Sequence, residues 1–404
     1  MMRLLFVTPS ASYPPRAGHE IITYNYIKYL AQRHLVDLIT FSNDKLSENE
    51  DLISWCQHVE KVVLKSWQSR INKVFGIVSG MPLLISQFKS AKMAQTVQQY
   101  LAQNKYDVVL FQLIAMAQYK PDWYQGAVIL NMVDPLVLNY ERSMMWQCWY
   151  TRQWALNRII RLKRYELRQA PRFDRVLLLN HADVSDYKNI LVGAKLDWVP
   201  YAIDVDAFCP NDENRRQNGV IIITGNMDHL PNVDAVEYFC KEILPKIRDQ
   251  VPSTVLWLVG ARPVATIRKW ARDEQIKVTG AVPDIRPYLS QAMVSVCPVR
   301  LKVGTQTKVL EALAMATPVV TTSAGNHGIG GISGEHLYVS DDSSEFANRV
   351  VELLRGEKWS NLSVNGRRFV VENFAWKKSM DRLEKIFYEV KRQSTTQHRS
   401  HELH

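Results

Sequence analysis

Lys308 and Glu311 stand three residues apart in the run Gly304-Thr-Gln-Thr-Lys308-Val-Leu-Glu311, and Arg300 precedes that glycine by four. A cation near a helix start and a carboxylate one turn later suit a ligand that joins an anionic group to vicinal hydroxyls, as a nucleoside diphosphate sugar does. A glycine turn at a helix N-terminus adds free backbone N–H groups and the positive end of the helix dipole, which together favour phosphate. Thr305 offers the N-cap hydroxyl. Arg300 carries a fixed charge that could stabilise a departing diphosphate in place of a metal ion. The same residue types also make ordinary solvated pairs on helices and loops, so spacing alone leaves both readings open.

These side chains need a strand before them and a buried helix beneath them. Val294 to Pro298 is a short β-branched run, and Val309, Leu310, Leu313 and Ala314 recur at helical spacing. Pro318 ends that helix and begins another buried strand. Upstream, Val220 to Thr224 reads as a strand, and Gly225-Asn-Met-Asp-His-Leu-Pro231 leads from it into a helix whose first turn tolerates proline. Thr254 to Val259 and Ile276 to Thr279 continue the sheet. Open α/β sheets place ligands at the carboxyl edge of their strands. Gly225 and Asn226 are therefore candidate ligand contacts, or otherwise a plain connecting turn.

The first half opens in the same style. Arg3 to Thr8 is a strand, Pro9 to Gly18 a loop, Ile21 to Ala31 a helix and Leu35 to Phe41 a strand, without a G-x-G-x-x-G fingerprint. Val59–Leu64, Val108–Phe111, Ala127–Val133, Arg175–Leu179 and Leu196–Val199 extend the pattern, which predicts a mainly parallel sheet covered on both faces. Asp134 follows one of these strands. It either holds an acceptor hydroxyl at the sheet edge or caps the next helix, with Pro135 in first position. A long helical segment is expected from about Pro135 to Ala170. Trp376 to Val390 reads as a final amphipathic helix, and the polar tail 393–404 is expected to be disordered.

With 404 residues and 47% apolar content, the chain can bury two substantial cores. Five scattered cysteines without a C-x-x-C pair point to a reduced compartment. His19, His181, His229 and His327 lack a second ligand at metal spacing, so no metal site is expected. The formal charge of +10 calls for an anionic partner. Nucleic acid is the least supported, since zinc-finger spacing and aromatic-glycine signatures are absent. Arg142 to Arg175 combines many basic residues with Trp146, Trp149 and Trp154. It is either a reversible anionic-membrane surface or a domain helix with a solvated basic face. Neither a signal peptide nor an apolar run of about 20 residues is present, so the expected location is cytoplasmic, free or peripheral on the inner membrane face.

The chain resembles the GT-B glycosyltransferases of family 4, on several motifs in order. They are Gly304-x-x-x-Lys308-x-x-Glu311-Ala-Leu-Ala with Pro318-Val-Val-Thr-Thr322, Thr224-Gly-Asn-Met-Asp-His-Leu-Pro-Asn232, Val259-Gly260, and Thr279-Gly-Ala-Val-Pro-Asp284. Phe6-Val-Thr-Pro9 and Pro14-Pro-Arg-Ala-Gly18 match the opening loop. The resemblance implies an α/β fold of two Rossmann-like domains with parallel sheets facing across a cleft. Residues 1–205 would take the acceptor, 206–375 the nucleotide sugar, and helix 376–392 would cross back to the first domain. It implies diphosphate contacts from Arg300, Lys308, Gly304 and Thr305, ribose contact from Glu311, further donor contacts from Gly18, Gly225 and Asn226, and a catalytic-side role for Asp134. It also implies transfer with retention, no metal, and a lipid-linked or saccharide acceptor. Three departures stand out. Val303 replaces an upstream glutamate, as in a branch linked to exopolysaccharide synthesis; Leu110-Phe-Gln112 replaces a histidine; and Tyr201-Ala202 replaces Asn-Gly. A GT-B epimerase of UDP-N-acetylglucosamine and a catalytically silent scaffold for a membrane or partner enzyme remain alternatives, and the donor nucleotide, UDP or GDP, stays open.

Overall fold

A computed structural model describes residues 1–11, 18–42, 50–144, 149–210, 216–302 and 304–402. The chain divides into two compact units. Met1–Val199 together with Met380 onward forms the first, and Pro200–Ser379 the second.

The first unit is built on β1 (Arg3–Thr8), β2 (Leu35–Ser42), β3 (His58–Val63), β4 (Val108–Gln112), β5 (Val128–Val133), β6 (Arg175–Leu178) and β7 (Leu196–Trp198). They form one seven-stranded sheet in the order β3-β2-β1-β4-β5-β6-β7, with parallel pairing throughout. β4 and β5 are buried at every residue because helices cover both faces, which is why they read as unbroken apolar runs. The order reverses at β1, which lies between β2 and β4, so its carboxyl end is a topological switch point. The basic segment after β5 forms two helices, Leu136–Ser143 and Trp149–Gln169. Trp146 lies outside the described residues.

The second unit holds β8 (Gln217–Thr224), β9 (Val255–Val259), β10 (Ile276–Gly280), β11 (Ala292–Cys297), β12 (Val319–Thr321) and β13 (Tyr338–Val339). Their order is β10-β9-β8-β11-β12-β13, again parallel, with the switch at β8. Helices Leu230–Tyr238 and Ser343–Leu354 lie over one core, and Thr307–Ala314 and Trp359–Phe374 over the other.

Two expectations need correction. The units divide at 199/200 and 379/380, not at 205 and 375, because Ile203 bridges to Ala375 and the Ser379 hydroxyl donates to Pro200 O (2.8 Å). The last helix runs Trp376–Glu402 and takes in most of the tail expected to be disordered. Its first part is nucleated by packing of Leu383, Ile386, Phe387 and Val390. The polar continuation has neither glycine nor proline, so each added residue extends a helix whose costly start is already made.

Candidate functional site

The loops after β8 and β9 meet backbone to backbone. Gly225 (φ 142°) and Gly260 (φ 156°) both sit where side chains are disfavoured, and a Cβ on Gly260 would fall 1.8 Å from Gly225 O. A Cβ on Gly225 would lie 2.8 Å from Asn232 Nδ2 and 3.5 Å from Lys308 Nζ. The Lys308 ammonium therefore lodges against this glycine turn. It donates to Asn232 Oδ1, while Asn232 Nδ2 donates to Asn226 O at 2.9 Å. The amide is thus oriented by the backbone it follows and in turn orients the cation. Burial and the same cation hold the His229 imidazole below its ordinary pKa.

Lys308 belongs to the helix Thr307–Ala314, whose N-cap position is Gln306 without a side-chain capping bond. Thr305 is thus not the cap expected of it. Gly304 takes a left-handed conformation (φ 55°), and the chain uses two further residues to turn into the helix. One turn after Lys308, burial pushes the Glu311 carboxyl up to about 7 against the opposing pull of Lys308. Burial and Glu311 together push the nearby Tyr201 hydroxyl up to about 12. The far end of the helix is held by two guanidinium groups. Arg216 donates to Met315 O and Ala316 O at 3.0 Å and to Leu289 O and Ala292 O at 2.9 and 2.8 Å, and Arg367 donates to Ala314 O. Cations on the last carbonyls satisfy them and oppose the negative end of the dipole.

Arg300 is already engaged. Its Nε donates to Asp234 Oδ2 at 2.9 Å, its Nη2 to Asp234 Oδ1, and its guanidinium lies 4.8 Å from the Tyr238 ring centre. Its Nε–H and one N–H of Nη2 are thus committed to Asp234.

The switch point of the first unit carries different groups. Thr8 Oγ1 and Gln112 Nε2 are buried with no hydrogen-bond partner among the described residues, and Asn131 Nδ2 donates to Gln112 Oε1 at 3.0 Å. Val133 is left-handed (φ 69°), an uncommon state for a β-branched residue, and the strain redirects the chain at Asp134. Asp134 does not cap the next helix, since Pro135 takes the N-cap position without a side-chain bond. Burial, and secondarily Asp183, push its carboxyl up to about 6. Gly18 opens the helix Gly18–Leu30, where an added Cβ would meet nothing within 4 Å.

Residues 218–356 match the family described as glycosyl transferases group 1. Solved structures match over almost the full length. Sucrose-phosphate synthase from Thermosynechococcus elongatus aligns with a TM-score of 0.69 at 16% identity, covering 96% of this chain and 99% of the other. Anabaena HepE in complex with UDP gives 0.67 at 15%, covering 96% and 100%. α,α-Trehalose 6-phosphate synthase from Burkholderia multivorans gives 0.66 at 10%, covering 98% and 100%. The chain has the GT-B fold, and its residues 218–356 are similar to the group 1 glycosyl transferases. No curated protein matches it in sequence.

In this GT-B chain, Gly225, Asn226, Lys308 and Glu311 come together in the second unit, with Gly304 and Thr305 in the loop leading to their helix. Asp134 and Gly18 belong to the first unit. Val303 and Pro14 to Ala17 lie outside the described residues. Sequence reasoning missed Tyr201, Asp234 and Arg216. Arg216 sits in a polar run that reads as linker, and only its place one residue before β8 hints at more.

Proposed function

We propose that the chain transfers a sugar from a nucleoside-diphosphate sugar to a hydroxyl acceptor with retention at the anomeric carbon, in polysaccharide or glycolipid assembly. The observation that carries this is the Lys308 ammonium, seated between the oriented Asn232 amide and the Gly225 turn, with Glu311 one turn on. HepE, of the same fold, has been solved with UDP-glucose, which makes UDP the first nucleotide to test. Lys308 would neutralise charge building on the diphosphate as the bond from the sugar to its oxygen breaks, the role of a preorganised cation. The acceptor oxygen forms the new bond on the same face, and its proton passes to the departing diphosphate. Asp134 would hold the acceptor hydroxyl, its raised pKa suiting a group that exchanges hydrogen bonds near neutrality. Fixed cations would do this work without a metal.

The acceptor is read as a saccharide, lipid-linked, reached at a membrane surface by peripheral attachment. No helix among the described residues is long and apolar enough to cross a membrane. A thermal-shift panel of nucleotide sugars tests the donor, because a ligand of the native state raises Tm by mass action. Product analysis with and without acceptor follows. Sugar transfer with retained configuration is expected. Isomerised UDP-N-acetylglucosamine in the absence of acceptor would make the chain an epimerase, and absence of any nucleotide affinity would make it a scaffold.

A further inference from the structure

The helix Ser66–Ser79 presents its apolar face to solvent. Trp67, Ile71, Val74, Phe75 and Val78 fall within one stripe of about 100° on a 3.6-residue period, the stripe that ordinarily faces a core. Here all five are between 46 and 84% exposed. The helix leans on the domain with its other side. A Cβ on Gly76 would come within 2.4 Å of Ser86 Oγ, and Asn72 Nδ2 donates to Lys89 O at 2.8 Å. Substituting a bulkier residue at Gly76 would push the helix away, so the small side is the docked side.

The surroundings of this face are basic. The helix contains Arg70 and Lys73 and no acidic residue, and Lys65 precedes it. At its C-terminal end, Arg161 Nη1 donates to Ile77 O at 3.1 Å. Beside that contact lies a cavity of about 160 Å³ whose lining includes Ile77, Met81, Leu84, Leu162, Trp154 and Arg158. Trp154 is 78% exposed. An uncovered apolar stripe of this kind marks an interaction site. Cations on a helix that carries no carboxylate, and tryptophans where apolar surface meets polar, are complementary to the interface of an anionic bilayer. A protein partner or a second copy of this chain would leave that charge unmatched unless it brought an acidic surface of its own.

We propose that the Ser66–Ser79 face is a lipid-docking surface that inserts into a bilayer leaflet bearing anionic lipid. One acyl chain enters the cavity, and the lipid phosphate lies on Arg158 and Arg161. The inference rests on the peripheral-membrane part of the proposed function and deepens it, moving the inserted element from the basic helix Trp149–Gln169 to an apolar one.

The test is vesicle co-sedimentation of the full chain with phosphatidylcholine alone and with added phosphatidylglycerol. Three variants are compared: Ile71→Ser/Phe75→Ser/Val78→Ser, Arg158→Gln/Arg161→Gln, and Arg152→Gln/Arg164→Gln/Arg168→Gln. The serine variant is expected to keep its melting temperature and UDP affinity while losing at least tenfold in binding to anionic vesicles. The Arg158/Arg161 variant is expected to bind anionic and neutral vesicles more nearly alike. Serine-variant binding equal to wild type, with loss only in the third variant, would overturn the inference and leave the peripheral reading standing. Wild-type failure on both vesicles would overturn both and leave the donor site untouched. Self-association of wild type in vesicle-free buffer that the serine variant abolishes would show the face to be a protein interface instead.

Discussion

Each sheet has its switch point at a strand ending in a threonine whose hydroxyl is buried without a partner among the described residues, Thr8 on β1 and Thr224 on β8. In the second unit two helices, Leu230–Tyr238 and Thr307–Ala314, bring an oriented amide, an ammonium and a carboxyl pushed up to about 7. Next to β1, the strands bring two neutral amides, Gln112 on β4 and Asn131 on β5, and the Asp134 carboxyl follows β5. The topology thus places a switch point in both sheets, while the side chains nearby decide what each edge suits. A seated cation suits a diphosphate. Amides and a carboxyl of raised pKa suit the hydroxyls of a sugar.

The widest separation between the two edges should come from Asp134→Asn. Turnover should fall by roughly 10–100-fold, since one hydrogen bond from the acceptor hydroxyl to a carboxylate contributes about 1.5–3 kcal/mol, with UDP affinity unchanged by calorimetry. Weaker UDP binding in this variant would dissolve the division of roles. On the other edge, Lys308→Ala should weaken UDP binding by about 10–100-fold, since one charge-assisted contact contributes about 1.5–3 kcal/mol. Arg300→Ala should have the smaller effect, because two of that guanidinium's donors are already held by Asp234. An Arg300 effect exceeding that of Lys308 would reverse the assignment.

Acidity sharpens the contrast further. In the ribose-holding role proposed for it, Glu311 would accept hydroxyls best when ionised, and its carboxyl is pushed up to about 7. UDP-glucose affinity should therefore drop up to about tenfold between pH 8 and pH 6, and the drop should vanish in Glu311→Gln. Persistence of the full pH effect in that variant would place the titrating group elsewhere.

The smallest effect concerns stability in the first unit. Glu166 is fully buried, accepts from the Tyr187 hydroxyl, and is pushed up to about 8, mainly by burial. An acid whose folded pKa is raised loses its proton first in the unfolded chain. Its contribution to stability is fully present below the unfolded value and is lost as pH rises toward 8. Glu166→Gln should match wild type in urea near pH 4 and exceed it by roughly 1–3 kcal/mol near pH 8. Parallel curves for the two proteins across that range would show Glu166 to be ionised when folded.

Much of this architecture is legible in the chain because parallel strands buried on both faces leave short β-branched runs, as at Val294 to Cys297 and Val220 to Thr224. Helix boundaries were less legible. Gln306 rather than Thr305 takes the cap position, since Gly304 turns left-handed and the loop needs two more residues. Asp134 precedes a helix in the right place for a cap, yet Val133 redirects the backbone and Pro135 takes that position. Arg216 looks like linker until it reaches carbonyls 73 to 100 positions away.

By itself, the sequence determined the alternation of strand, glycine turn and helix, and with it the two sheet edges. Those features depend on neighbours close along the chain, where side-chain period and backbone freedom act directly. Only the tertiary structure decided which groups pair and which carry charge. Lys308 meets Asn232, Arg300 meets Asp234, and Glu311 holds its proton near neutrality because residues remote in sequence become close and lose water. The stripe from Trp67 to Val78 is written in the chain as well. Whether it faces core or solvent depends on the one side where Gly76 lets the helix approach Ser86.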